Sequence, residues 1–290
     1  MPEITDDLVR DLIADQFPAW ADLPVTPVPK QGWDNRTFRL GPDLSVRLPS
    51  GPGYVAAVAK EDRCLPILAE HLPVAIPQPV ALGRPSTDYP HPWSVRRWLP
   101  GDTLEDTPEL DRVQFANDLG NTLMALFEAP TEGGPAAGRH SFFRGCHPSA
   151  YGDEVEAALD VLTGIDTGAC RRIWAEACAS AWGARPSWFH GDIAPGNLLV
   201  TDGRLSALID FGTCGVGDPA SDLQIAWTAF EGPDRRAFRD ALNLPGDTWQ
   251  RARGWALWKT LATLAGMSSP APGSVQYRNL DRILADPVTD

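Results

Sequence analysis

Three oxygen-bearing side chains lie close together along the chain. Asp192 and Asn197 are five residues apart in WFHGDIAPGNLLV, and Asp210 opens IDFG eighteen residues beyond Asp192. Alone, the Asp, Pro, Gly and Asn of the first stretch read equally well as a turn leading into a strand. The next ten residues shift the balance. Thr201-Asp202-Gly203-Arg204 is a turn signal between two apolar runs, which predicts an antiparallel hairpin with Val200 opposite Leu205. Asn197 and Asp210 then become diagonal neighbours at its open end, with Asp192 in the bend just before it. Such a trio suits magnesium, which takes oxygen ligands, commonly one or two carboxylates plus substrate phosphates. Asp192 is left to receive a hydroxyl proton. That is the minimal equipment for phosphoryl transfer.

The surrounding elements must hold these groups in place. At 290 residues the chain exceeds the usual single core, so two packed lobes are expected. Residues 5–17 predict a helix capped by Thr5, with Leu8, Leu12 and Ile13 on one face. Thr37–Leu40 and Leu44–Leu48 predict two strands around Gly41-Pro42-Asp43, with Leu44, Val46 and Leu48 on one face and Ser45 and Arg47 on the other. Residues 55–72 predict a helix kinked or broken early at Pro66, and IPQPVALG and WSVRRWLPG predict further strands. LPGDT reads as a linker. Beyond it, residues 111–128, 153–162 and 169–182 predict helices, as does the segment from Gly246, where Asp247 is placed as cap and Trp255, Trp258 and Leu261 face a core. Segments 129–147 and 266–275 read as loops.

Composition narrows the partners. A formal charge of −13 opposes nucleic acid, which needs a basic surface, and opposes an anionic membrane. It suits a cationic small molecule. No apolar run reaches the length of a membrane span, and the acidic N-terminal stretch lacks the parts of a signal peptide. Five scattered cysteines with no C-x-x-C pair fit reduced thiols in a cytoplasmic protein. His140, Cys146 and His147 show no repeating ligand spacing.

HGDIAPGN followed by IDFG resembles the catalytic and metal-binding loops of the protein-kinase-like superfamily, and more narrowly the aminoglycoside phosphotransferase family of antibiotic and small-metabolite kinases. The resemblance covers most of the chain and is most specific beyond residue 180. It implies an α+β, two-lobed protein-kinase-like fold. A small N-terminal β-sheet lobe with a helix, residues 1–97, would bind nucleotide. A larger, mainly helical C-terminal lobe, residues 98–290, would carry catalysis and substrate binding. The same resemblance implies Asp192 as catalytic base, Asn197 and Asp210 as Mg2+ ligands, and ATP or GTP as co-substrate. Gly32, Asn35 and Thr37 fall in the nucleotide-covering loop, which here lacks G-x-G-x-x-G. Arg47 stands where the family holds phosphate with a lysine, and Glu61 matches its helix carboxylate. Trp98 and Leu99 fall where backbone groups meet the purine. Asp222 is expected to anchor the catalytic loop, although Asp218 and Asp222 read equally as caps. His190 and Cys214 are taken as structural.

The acceptor implied is a small hydroxylated cation of the aminoglycoside type, and hence a part in antibiotic resistance. Glu231 and Asp234 are the candidate substrate carboxylates, with Asp153, Glu154 and Glu156 behind them; all of these fit solvated helix faces as well. Only eleven residues separate Asp210 from Asp222, no A-P-E follows, and Ala194 replaces the residue typical of protein-substrate kinases. Two alternatives stay open: another acceptor (a macrolide, an amino alcohol or a sugar), and a nucleotide-binding pseudokinase scaffold.

Overall fold

The computed structural model describes residues 2–268 and 273–286. The chain forms two compact units, Met1–Gly101 with Ala207–Gly212, and Asp102–Ser206 with Thr213–Asp290.

The first unit opens with helix α1 (Asp6–Gln16), where Thr5 accepts the Leu8 amide at 3.2 Å as the expected cap. Strands β1 (Val25–Pro27), β2 (Asn35–Leu40) and β3 (Leu44–Pro49) precede helix α2 (Val55–Ala69), and β4 (Pro79–Gly83) and β5 (Trp93–Arg97) come after it. The antiparallel sheet has the order β1-β2-β3-β5-β4. The turn between β2 and β3 has Gly41 at φ +61°, which a glycine adopts without a Cβ penalty.

The period of two sorts the sheet's faces. Phe38, Leu40, Leu44, Val46, Leu48, Trp93 and Val95 pack in one core with Val9, Leu12 and Ile13 of α1. The alternate residues Ser45, Arg47, Ser94 and Arg96 take the opposite face. Gly83 is paired with Trp93, and a Cβ there would come within 1.9 Å of the indole. Helix α2 runs through Pro66 to Ala69, so of the two expectations, a kink or an early break, the break does not occur. Buried Cys64, Leu65 and Leu68 on either side of the proline offset its missing hydrogen bond.

Ala207–Gly212 completes this unit. Ala207 bridges Ala75 in parallel, the Leu208 amide donates to Ala75 O at 3.1 Å, and the buried Lys60 donates to Gly212 O at 2.7 Å.

The second unit carries β6 (Asp102–Thr103), so the end of the expected linker is a short strand. Next come helices α3 (Arg112–Glu128), α4 (Gly152–Val161) and α5 (Thr167–Cys178), then β7 (Ser187–Phe189), β8 (Leu198–Thr201), β9 (Arg204–Leu208, whose last two residues belong to the first unit) and β10 (Gly215–Gly217). The expected hairpin forms: β8 lies between β6 and β9, and Ser206 Oγ donates to Leu199 O at 3.1 Å. Helices α6 (Ile225–Thr228), α7 (Gly232–Leu242), α8 (Gly246–Leu264) and α9 (Gly273–Ala285) end the chain.

Helix α8 is buried on nearly every side, including Trp255, Trp258 and Leu261. Asp247 is not its cap. The helix begins one residue earlier at Gly246, and the Asp247 carboxylate turns to Arg251 one helical turn on, at 3.2 Å. Neighbouring helices approach closely at two glycines: a Cβ on Gly120 would lie 2.7 Å from Ala241 Cβ, and one on Gly254 2.3 Å from Ala177 Cβ. Of the loop expected over 266–275, residues 269–272 lie outside the described residues and 273–275 begin α9.

Candidate active site

The site residues fall into two groups, one in each unit. In the second unit, β7 pairs antiparallel with β10, Phe189 opposite Gly215, and delivers the chain to His190. Asp222, fully buried in the turn of helix over Pro219–Gln224, accepts the His190 amide on Oδ2 and the Gly191 amide on Oδ1, both at 2.6 Å. Thr213 Oγ1 donates to His190 O at 2.9 Å. Gly191 has φ +86°, and a Cβ there would meet Thr213 Oγ1 at 2.8 Å, so only glycine fits the bend. This clamp fixes the backbone directly ahead of Asp192.

Two further bonds shape that residue. The Asp192 amide donates to His190 Nδ1 at 3.2 Å, and the Asn197 side-chain amide donates to Asp192 O at 2.9 Å and Oδ2 at 3.1 Å. His190 is fully buried and its Nδ1 accepts the Asp192 amide, so the ring shapes the loop. Asp192 stays partly accessible. Asn197 spends its NH2 on Asp192, which leaves the amide oxygen as its donor toward a cation. Asp218 caps the Pro219–Gln224 turn and also forms a buried ion pair with Arg251 at 2.7 Å.

Burial pushes the Asp222 carboxyl up to about 7; the two amide bonds oppose this, and Asp192 and Asp218 add to it. In the unfolded chain the same group titrates near ~4. The folded state therefore keeps a proton that the unfolded state has lost between those values. The resulting stability is full below the unfolded value and is lost as pH rises through the folded one. Thermal midpoints of the native protein should fall with pH across that window more steeply than those of Asp222→Asn. Parallel slopes would contradict the assignment.

In the first unit, β3 presents Arg47 and α2 presents Glu61. Arg47 Nη2 meets Asp210 Oδ1 at 2.6 Å, and Arg47 Nη1 lies 3.6 Å from Glu61 Oε1. Burial works to discharge Arg47, but Glu61 and Asp210 outweigh it and hold its pKa above the usual guanidinium value. Asp210 has φ +67°, a left-handed conformation that Asp tolerates better than most residues.

A second arginine, not expected from the sequence, joins this group. Arg96 on β5 is buried, donates to Glu61 Oε2 at 3.0 Å and to Ser94 Oγ at 3.0 Å, and leaves Nη1 without a partner. Burial lowers its pKa, with Glu61 opposing and Arg47 adding to the fall. Buried Lys60, which holds Gly212 O, is likewise an unexpected support for the Asp210 segment. The alternation of β5 puts one of Arg96 and Arg97 inward, but nothing in the sequence says which carboxylate it meets.

The remaining candidates differ in availability. Gly32 and Thr37 are held by backbone and amide bonds: Arg36 donates to Gly32 O at 2.8 Å, and the Gln31 side chain pairs with both the N–H and the C=O of Thr37. Asn35 is buried at the start of β2. The Trp98 amide donates to Asp43 O at 2.9 Å, and Arg39 stacks on the Trp98 ring at 4.2 Å.

Asp234 is buried and committed. Its Oδ1 accepts the Glu231 and Arg235 amides, and its Oδ2 accepts Arg112. Glu231 is exposed and pairs with Arg282 at 2.8 Å. Glu154 accepts the Trp258 indole N–H, Glu156 pairs with Arg171, and Asp153 is exposed.

Among the described residues no group of three or more His, Cys, Asp or Glu forms a metal cage. Magnesium asks for less, one or two carboxylates with phosphate and water oxygens. Each unit offers a hard oxygen donor of that type, the Asp210 carboxylate in the first and the Asn197 amide oxygen in the second.

An antiparallel sheet carrying a buried Arg–Glu pair, and a helical unit carrying an Asp-anchored loop, agree with the protein-kinase-like fold that the motifs resemble. Solved structures share the fold. An aminoglycoside phosphotransferase, APH(2")-IIia, in complex with GDP and kanamycin, has a TM-score of 0.72 at 19% identity over 95% of this chain and 94% of that one. The macrolide 2'-phosphotransferase MphH from Brachybacterium faecium has a TM-score of 0.64 at 22% identity over 97% and 98%. The streptomycin–ATP–APH(2")-IIa ternary complex has a TM-score of 0.63 at 15% identity over 99% and 98%. A search of curated proteins finds no match. The model of the phosphotransferase enzyme family, APH, matches residues 25–255, and the chain belongs to that family.

Proposed function

We propose that this phosphotransferase moves the γ-phosphoryl group of ATP or GTP to a hydroxyl of a small, cationic molecule of the aminoglycoside type. The observation that carries this is the Asp222 clamp on the His190 and Gly191 amides, with Asn197 bonded to Asp192. It presents one carboxylate in a set position beside one amide oxygen, on a loop that carries the family's motif.

Asp192 Oδ accepts the proton of the acceptor hydroxyl while that oxygen attacks the γ-phosphorus; the bond from this phosphorus to the β-phosphate oxygen breaks, and the nucleoside diphosphate leaves. Asn197 and Asp210 are the residues that would hold Mg2+, and the ion would supply charge screening for the phosphates. Arg47 holds the α- and β-phosphate oxygens, with Glu61 behind it, under the loop of Gly32, Asn35 and Thr37. The Trp98 carbonyl and the Leu99 amide serve the purine, because the Trp98 amide is already bonded to Asp43. Arg47→Ala should mainly raise KM for the nucleotide, by about tenfold if one charge-assisted contact is lost. An unchanged KM in steady-state kinetics would move the phosphate role elsewhere.

The charge of −13 favours a cationic acceptor, and Glu231 is proposed as one contact to it. Asp234, the other candidate carboxylate of this stretch, has its oxygens engaged in the start of α7, so it would act only by holding Glu231 in place. We place the reaction in the cytoplasm, where thiols such as the five cysteines stay reduced.

The acceptor is tested by mass spectrometry of aminoglycosides, macrolides and amino alcohols incubated with the protein, Mg2+ and nucleotide. A gain of about 80 Da on an aminoglycoside marks the added phosphoryl group. A gain confined to macrolides or amino alcohols would replace the aminoglycoside assignment.

A further inference from the structure

Four charged side chains of the first unit stand in a row of alternating sign. Arg96 Nη2 lies 3.0 Å from Glu61 Oε2, Glu61 Oε1 3.6 Å from Arg47 Nη1, and Arg47 Nη2 2.6 Å from Asp210 Oδ1. The links are uneven. Glu61 Oε1 is buried and accepts no hydrogen bond, its nearest guanidinium standing beyond hydrogen-bond reach.

Burial alone would pair Arg47 with Glu61. The Glu61 side chain is 3% exposed and that of Asp210 27%, and the deeper carboxylate gains more from a charge-assisted bond. Arg96 accounts for the reversal. Strand pairing sets Arg96 opposite Ser45 and Ser94 opposite Arg47, so both arginines leave adjoining strands on one face, where α2 brings Glu61. Ser94 Oγ fixes Arg96 through its Nε, and Arg96 takes one oxygen of Glu61. Arg47, repelled by Arg96 and short of a full partner in Glu61, closes on Asp210.

We propose that Arg47 is a resident counter-ion of Asp210 which a divalent cation must displace, and that Arg96, by holding Glu61, is the positioning residue that keeps Arg47 there. This rests on the proposed function, in which Asp210 is a metal ligand. Once displaced, Arg47 has a ready acceptor in Glu61 Oε1.

The test is a titration of the full chain with Mn2+ alone, without nucleotide, read by the electron paramagnetic resonance of the free ion. Arg47→Met should tighten the Asp210-dependent site by roughly fivefold or more, the low end of coupling between two sites. Arg96→Met should act in the same direction, since Glu61 then draws Arg47 away. Adding Glu61→Gln to Arg96→Met removes that draw and should return the affinity toward native, and Arg96→Lys should restore it. A merely structural Arg96 would loosen Mn2+ binding or leave it unchanged in both variants.

If Arg47→Met binds Mn2+ no more tightly than the native chain while Asp210→Ala still weakens it, the counter-ion role is overturned and the metal assignment stands. That comparison holds even if Arg96→Met fails to fold. If Asp210→Ala leaves Mn2+ binding unchanged, both ideas fall together.

Discussion

Asp192→Asn should lower kcat by about 10²–10⁴-fold, the range for loss of a positioned general base, while the fold and nucleotide affinity persist. The replacement keeps the shape, and the backbone that holds residue 192 does not depend on its carboxylate. The His190 and Gly191 amides still reach Asp222, and the residue 192 amide still reaches His190 Nδ1. What changes is the acceptor. An amide oxygen is a poor proton acceptor, and the Asn197 NH2 that now bonds Oδ2 would face a neutral group. Because the contact matters mainly in the transition state, kcat and kcat/KM should fall together. Circular dichroism and thermal midpoints check the fold beside the kinetics. Retained kcat in a folded variant would remove Asp192 from the chemistry.

The second large effect is expected at Asp210. Asp210→Ala should reduce kcat by at least roughly a hundredfold, as loss of a preorganised electrostatic contact does. It should also shift the Mg2+ dependence of the reaction to higher concentration. The folding cost should be modest, because Arg47 keeps Glu61 as a partner and the segment stays tied by Lys60 to Gly212 O and by Leu208 to Ala75 O. Steady-state rates over a Mg2+ titration, with a melting curve of each protein, measure both. An unchanged Mg2+ dependence would contradict the ligand role.

What the sequence disclosed was local. The β2–β3 hairpin and the Thr5 cap arise from periodicity and turn chemistry, and the structure has them, as it has the expected burial of Trp255, Trp258 and Leu261 in α8. The Asp222 anchor comes from the family resemblance and not from local spacing, which reads Asp222 equally as a cap; its partners His190 and Gly191 lie 32 and 31 positions away. The rest likewise depends on partners distant in sequence. Arg96 meets a carboxylate 35 positions away, and Lys60 meets a carbonyl 152 positions on. Asp247 has the spacing of a cap, but Arg251 claims its carboxylate. Pro66 has the signature of a break, yet packing around α2 overrides local propensity. The start of α9 at Gly273 is hidden in the sequence because the glycine-, proline- and serine-rich stretch 266–275 reads as loop. That Ala207–Gly212 belongs with the first unit is a tertiary fact that no local spacing records.

The most direct measurement tracks ATP and GTP by phosphorus NMR in the presence of the acceptor panel, with and without Mg2+, in the native protein and in Asp192→Asn. Mg2+-dependent loss of the γ-phosphoryl signal is expected in the native protein, with nucleotide bound but intact in the variant. Native protein that binds nucleotide and Mg2+ yet leaves the γ-phosphoryl untouched across the whole panel, or a variant that consumes it as fast, would contradict phosphoryl transfer from this site.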